Sequence, residues 1–191
     1  MKKPKPKAKS LKHKTIIHIV TGSIAAYKIG DLIKQLLEEG ARVTCVMTEA
    51  AKQFITPLTL QTISGEKVHS DYFSPDTAQD ILHTSLAENA DLVLAAPTSA
   101  NFLARLAGGF ASDLASGIVL VTRRPVVIVP AMNDQMYTHP LTQQNINRLK
   151  DIGYHFIDPI VGRLACGKEA IGHIPEFTTI TNTVQQLLKN R

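Results

Sequence analysis

The chain has no tryptophan and only two cysteines in 191 residues, and aromatic side chains make up 5% of it. Two cysteines cannot build a disulfide scaffold, and they fit a reducing compartment, which points to the cytoplasm. No apolar run approaches the length of a membrane span, and the N-terminal stretch has no apolar core of the kind a secretory signal needs. The seven histidines show no spacing typical of a metal site, so no metal is expected. Gly-x-Gly-x-x-Gly is missing too. The first candidate phosphate turn holds Gly22 alone, which disfavours a dinucleotide.

Acid is absent from the first fourteen residues, where seven lysines stand. The formal charge of +5 belongs to that stretch, since the remainder carries 14 basic against 16 acidic side chains. Residues 1–14 therefore read as a disordered basic tail ahead of one domain over 15–191. A body of net charge −2 argues against a nucleic-acid partner.

Apolar runs alternate with amphipathic segments, the pattern of βαβ units. The expected fold is α/β: a Rossmann-like or flavodoxin-like open parallel sheet with helices on both faces. Strands are expected over residues 15–21, 42–48, 91–96 (stopped by Pro97), 125–129 and 154–157. Leu32, Leu36 and Leu37 keep helical period up to Gly40, a good helix terminator. Further helices are expected over 100–107, 112–121, 141–152 and 179–189. Residues 65–80, rich in Gly, Ser, Pro and Asp, read as the least ordered internal stretch.

The chemistry gathers where strands end. Pro130-Ala131-Met132-Asn133 closes a β-branched run, so a carboxamide appears at the carboxyl end of a buried strand. Cys166 follows in Gly162-Arg163-Leu164-Ala165-Cys166-Gly167, a segment without apolar period that reads as a mobile loop. Cys45, inside Arg-Val-Thr-Cys-Val-Met, reads instead as a small core hydrophobe. A carboxamide and a loop thiol suit redox chemistry on a small polar substrate. The first strand ends in Thr21-Gly22-Ser23-Ile24, a tight turn into a helix whose free N–H groups suit one phosphate. The plainer reading of that turn is an ordinary cap. Thr48 and the Pro97-Thr98-Ser99-Ala100-Asn101 segment add hydroxyls and an amide to the same edge. Small residues there leave room for a flat ring, favouring FMN over a bare phosphate. His83 reads either as a satisfied core histidine or as a proton-transfer group.

In order along the chain stand Thr-Gly-Ser-Ile-Ala-Ala-Tyr-Lys (21–28), Met-Thr-Glu-Ala-Ala-Lys-Gln-Phe (47–54), Ala-Pro-Thr-Ser-Ala-Asn (96–101), Pro-Ala-Met-Asn-Asp-Gln-Met (130–136) and Leu-Ala-Cys-Gly (164–167). Together they resemble the homo-oligomeric flavin-containing cysteine decarboxylases, specifically the phosphopantothenoylcysteine decarboxylases of coenzyme A biosynthesis. The resemblance implies FMN-dependent decarboxylation of 4′-phospho-N-pantothenoyl-L-cysteine to 4′-phosphopantetheine. It implies that Gly22, Ser23, Ile24 and Thr48 hold the phosphate and ribityl chain, while Ser99, Ala100, Asn101, Phe102 and Ala131 line the rest of the flavin. By the same likeness His83 transfers the first proton, Asn133 binds the substrate carboxylate and Cys166 donates the last proton. Arg163 and Ala165 would touch the substrate through backbone atoms. It also implies a homotrimer or a multiple of trimers. The roles make chemical sense: a cysteine carboxylate has no electron sink, and two-electron oxidation next to it supplies one.

The sequence departs from the pattern in two places. Phe102 stands where a small hydroxyl residue is common, and Lys168 to Ile174 replaces an acid and Gly-Arg-Met. The chain is also too short for the ligase domain often fused behind such enzymes, so a separate phosphopantothenate-cysteine ligase is expected in the pathway. Three alternatives stand beside this reading. A peptidyl-cysteine oxidative decarboxylase would leave Cys166 without a task. A flavin prenyltransferase-like enzyme suits neither Asn133 nor the Cys166 loop. A non-catalytic flavin-binding regulatory subunit tends to lose the histidine or the cysteine, and both are here.

Overall fold

Aliphatic runs without polar interruption need cover on both sides, and they assemble into a five-stranded sheet whose neighbouring strands all pair in parallel. The computed structural model describes residues 9–73 and 81–189. Its strands are β1 (Thr15–Val20), β2 (Arg42–Met47), β3 (Leu92–Thr98), β4 (Val126–Pro130) and β5 (His155–Phe156), in the order β2-β1-β3-β4-β5. That is a doubly wound order with its reversal between β1 and β3. The expected fold class is the one found.

Side chains alternate across the pleat, so each strand feeds two cores. Ile16, Val20, Val43, Leu94 and Val127 pack under α1 (Ile29–Glu38), α2 (Pro57–Ser64) and α8 (Phe177–Lys189). Ile17, Ile19, Val93, Val126 and Ile128 pack under α3 (Leu82–Glu88), α4 (Ala100–Gly108), α5 (Leu114–Val121) and α7 (Pro140–Asp151). Each fully covered Ile, Leu or Val side chain contributes roughly 1.5–3 kcal/mol. Cys45 is fully buried in the first core, and burial pushes its thiol up to about 12, as befits a small hydrophobe.

The structure corrects several sequence expectations. The third strand does not stop at Pro97 but runs to Thr98, which pairs with Pro130 after a register shift. The helix expected directly after β1 is preceded by a 3-10 turn, Ile24–Lys28. The thiol segment is not an irregular loop: β6 (Ile160–Arg163) and β7 (Glu169–His173) pair antiparallel, and Cys166 sits in the turn between them. A short α6 (Asp134–Thr138) follows Asn133.

The expected disordered tail is also too long at its inner end. Leu11 is fully buried in the first core, its N–H donates to Glu39 O (2.9 Å), and Ser10 Oγ donates to the Glu39 carboxylate (2.8 Å). One leucine among lysines finds an apolar hollow at the end of α1, and its burial orders its neighbours. Part of the 65–80 stretch is likewise ordered, because His69 bridges Val46 at the edge of β2. Residues 1–8 and 74–80, on which the rest of those two expectations falls, lie outside the described residues.

Candidate active site

β1, β3 and β4 end on one edge of the sheet, beside the reversal in strand order where such sheets bind ligands. Hydrogen bonds stitch these ends together. Thr21 Oγ1 donates to Pro97 O (2.8 Å) and accepts from Ser99 N–H (2.8 Å). Ser23 Oγ donates to Ala131 O (2.8 Å), and Ala131 N–H donates to Thr98 O (3.1 Å). Below them His18, wholly buried, sits 2.8 Å from Ala96 O through Nε2. A carbonyl only accepts, so Nε2 carries the proton. Desolvation pushes the His18 pKa down to about 4, which keeps this brace neutral.

A cleft of about 800 Å³ opens above the stitched ends. Gly22, Ser23, Ile24, Ser99, Ala100 and Ala131 form one part of its wall, and Asn133, Arg163, Ala165 and Cys166 another. Gly22 is required there by space: a Cβ on it would fall 2.5 Å from Ala50 Cβ. Ser23 caps the 3-10 turn, accepting from Ala25 N–H (3.4 Å), and Ser99 caps α4, accepting from Phe102 N–H (3.3 Å).

The carboxamide and the thiol, thirty-three residues apart in sequence, meet in this cleft. Asn133 Oδ1 accepts from Gln135 N–H (2.9 Å) and caps α6, so its NH₂ is the end left for other partners. Nδ2 lies 3.9 Å from Cys166 Sγ. The hairpin carrying Cys166 is fixed to the Asn133 segment at its other end, where Met132 N–H donates to Gly172 O (3.1 Å). Gly172 has φ +128°, and a Cβ there would collide with Met132 O. Only glycine allows this docking.

Four expected site residues lie elsewhere. Phe102 is buried in the second core, so its side chain does not line the cleft. Asn101 is exposed on the first turn of α4, outside the cleft lining. Thr48 ends the β2 segment, where Oγ1 accepts from Ala51 N–H (3.3 Å), close to the Gly22 turn but outside the lining. His83 sits half-buried on α3, with its ring 5.2 Å from that of Tyr72, and does not reach the cleft of its own chain. Conversely, Tyr27, Lys28 and His173 line the cleft without having been singled out from sequence. Tyr27 and Lys28 follow the Gly22 turn directly, so their place next to the strongest phosphate signal was available to be read.

Its fold and this edge define the class: the chain belongs to the flavoprotein family, whose model matches residues 4–189. Its relatives narrow the chemistry. A probable phosphopantothenoylcysteine decarboxylase of Streptococcus mutans is 46% identical over 177 residues, which is 92% of this chain and 99% of that protein. The coenzyme A biosynthesis bifunctional protein CoaBC of Vibrio cholerae is 45% identical over 87% of this chain, which spans only 42% of that longer protein. Among solved structures, a PPC decarboxylase mutant complexed with pantothenoylaminoethenethiol superposes with a TM-score of 0.84 at 30% identity, covering 92% of this chain and 98% of the other. The FMN-binding protein AtHal3 does so with a TM-score of 0.83 at 30% identity, over 94% and 99% of the two chains.

Proposed function

We propose that the protein is an FMN-dependent decarboxylase converting 4′-phospho-N-pantothenoyl-L-cysteine to 4′-phosphopantetheine. The observation that carries the reading is the meeting of the Asn133 amide and the Cys166 thiol, 3.9 Å apart, at the carboxyl edge of the sheet. The likeness to the Streptococcus mutans protein along nearly the whole of both chains gives that pair its substrate.

The residues present fit a flavin mononucleotide. Gly22 lets the turn pass close against Ala50, where a Cβ would collide, and Ser23 and Ser99 add hydroxyls to the same wall as Ile24 and the small Ala100 and Ala131. A flavin bound there would supply the two-electron redox chemistry that gives the substrate's cysteine carboxylate an electron sink. Asn133, with Oδ1 engaged in the cap, offers N–H groups to the substrate carboxylate. It does so without the full positive charge that would stabilise that carboxylate against leaving. Cys166 Sγ–H then supplies the proton, to the carbon that has lost the carboxylate. Arg163 and Ala165 hold the substrate from the hairpin.

His83, away from its own cleft, acts in the cleft of a neighbouring copy within a homotrimer or a multiple of trimers. Support comes from the rim, where Tyr27, Phe54 and Met136 stay exposed as large apolar side chains and would be covered by another subunit. No described helix is long and apolar enough to cross a membrane, and a cytoplasmic place suits both cysteines.

The test is the spectrum of the purified protein, followed by a carbon dioxide assay on the phosphopantothenoyl substrate. A yellow protein that releases FMN on denaturation and evolves carbon dioxide bears the reading out. Release of FAD, or a colourless protein that rejects FMN, overturns the cofactor. Mixing inactive His83→Asn with inactive Asn133→Asp subunits restores part of the activity if the two groups of one site come from different chains.

A further inference from the structure

The function proposed above places His83 in the cleft of another copy, so whatever aims its ring must come from its own chain. Its own helix gives it little. α3 has seven residues, only Ala87 among them is buried, and Ile81 at its head makes no side-chain cap hydrogen bond. His83 stands in that uncapped first turn, and helix ends without caps fray. Its ring instead lies against that of Tyr72, with centroids 5.2 Å apart and planes inclined by 38°. The separation falls inside the roughly 4.5–7 Å of favourable aromatic pairs. Tyr72 is half-buried against the second core and is held from two sides. His69, three residues before it, is tied to the edge of β2: Met47 N–H donates to His69 O (2.8 Å), and His69 N–H donates to Cys45 O (3.0 Å). On the other side the end of the ring lies over Gly117 in α5. A Cβ there would fall 2.9 Å from Tyr72 Oη and 3.1 Å from Cε2. Glycine weakens a helix interior, and here the missing side chain is the notch that admits the ring.

We infer that Tyr72 is a positioning residue for His83: seated in the Gly117 notch, its ring fixes the imidazole in the orientation from which it serves the neighbouring copy's cleft. The inference rests on the role proposed above for His83. Two features set the contact apart from ordinary core packing. The two aromatic residues that stand together here are used differently: Tyr72 is turned onto His83 and α5, while Phe73, its ring 5.1 Å from that of Tyr72, is left 90% exposed. Moreover, the three parts that meet at the ring come from separate elements, the segment leashed to β2, the first turn of α3 and the middle of α5. Tyr72 thus refers the aim of His83 to the sheet edge and not to its own short helix.

The experiment compares the flavin-loaded protein with its Tyr72→Leu, Tyr72→Phe and Gly117→Ala forms by two measurements at one fixed pH. The first is the His83 Hε1 resonance, assigned by its loss in His83→Asn. The second is single-turnover carbon dioxide release from the phosphopantothenoyl substrate. In wild type the resonance should be displaced by the Tyr72 ring from the position of an exposed histidine, and Tyr72→Leu should return it there. Release should slow about 10- to 100-fold in Tyr72→Leu, the scale of a misplaced catalytic group, with the half-saturating substrate concentration and FMN content unchanged. Tyr72→Phe, which keeps the ring, should retain both signal and rate. Gly117→Ala alters neither ring and by propensity favours α5, yet it should displace Tyr72, move the signal and slow release. An unmoved signal and an unchanged rate in Tyr72→Leu overturn the inference. So does a slower rate accompanied by an equal loss of substrate or FMN binding, because Tyr72 would then serve general packing. If Tyr72→Leu does not fold, Gly117→Ala decides, and an unchanged signal and rate there overturn the inference. A wild-type protein that shows the displaced signal but releases no carbon dioxide overturns the decarboxylase reading and leaves the positioning of His83 by Tyr72 standing.

Discussion

The parallel sheet and the β6–β7 hairpin are built on opposite terms. In the sheet every residue of β3 and β4 is buried, and each strand is held by neighbours and by helices on both faces. In the hairpin the strands have four and five residues, only Gly172 among them is buried, and the attachment to the 130–133 segment runs through that glycine. The sheet supplies fixed edges, one of which carries Asn133, and the hairpin supplies Cys166, the proposed donor of the last proton. Stability and reactivity are therefore carried by different residues, and substitutions should separate them.

The widest separation is expected from Cys166→Ser. Formation of phosphopantetheine should fall about 100- to 10,000-fold, the span of a lost positioned acid. Carbon dioxide should still be released, with an enethiol product lighter by two hydrogens accumulating, as mass spectrometry would show. The unfolding midpoint should not move, because Cys166 is exposed. Normal turnover by this variant would end the proton-donor assignment. Phe102→Ala should do the converse. It empties a site in the second core and should cost about 3–5 kcal/mol of stability in denaturant titration, while the folded fraction keeps its turnover. A loss of FMN with no loss of stability would instead return Phe102 to the flavin site.

Gly172→Ala tests the joint between the two regions. Strain at φ +128° and the collision with Met132 O should cost roughly 1–3 kcal/mol, read as faster hydrogen exchange confined to the hairpin and the 130–133 segment. Turnover should drop with it, since Cys166 would no longer be held beside Asn133. The smallest effect concerns the sheet alone. His18 is neutral when folded, with a pKa of about 4 against 6.5 for an ordinary histidine. Below 6.5 the unfolded chain binds the extra proton and the folded one does not, so stability falls as pH drops from 6.5 toward 4. From pH 7 to pH 5 this one group should remove about 2 kcal/mol. His18→Asn should flatten that part of the pH–stability curve, and an unchanged slope would count against a buried neutral His18.

What the sequence revealed follows the same division. Strands in the sheet were legible to within a residue or two because both-sided burial writes a continuous aliphatic run, as in Val126–Pro130. The hairpin was missed because glycines interrupt Ile160-Val161 and Ala170-Ile171, leaving too few apolar positions to show a period. Its signal was two short β-prone runs flanking a turn. Phe102, placed beside the flavin by the resemblance, has with Leu103 and Leu106 the spacing of the buried stripe of α4, so its side chain was legible as core. Gly22, Ser99, Asn133 and Cys166 were legible as strand-end or turn residues. The meeting of Lys28 Nζ and His173 Nε2 in the cleft wall, 2.8 Å apart, was not, because partners 145 positions apart leave no local pattern.

The burial of Leu11 bears on where this chain can be cut or joined. A fusion partner attached ahead of residue 9 would leave the leucine in its hollow beside Glu39 and Gly40. A junction placed at residue 12, which the lysine-rich composition alone would invite, would empty that hollow and remove the Ser10 and Leu11 bonds to Glu39. The practical boundary of the folded unit is therefore drawn by one aliphatic side chain, several residues before the first strand begins.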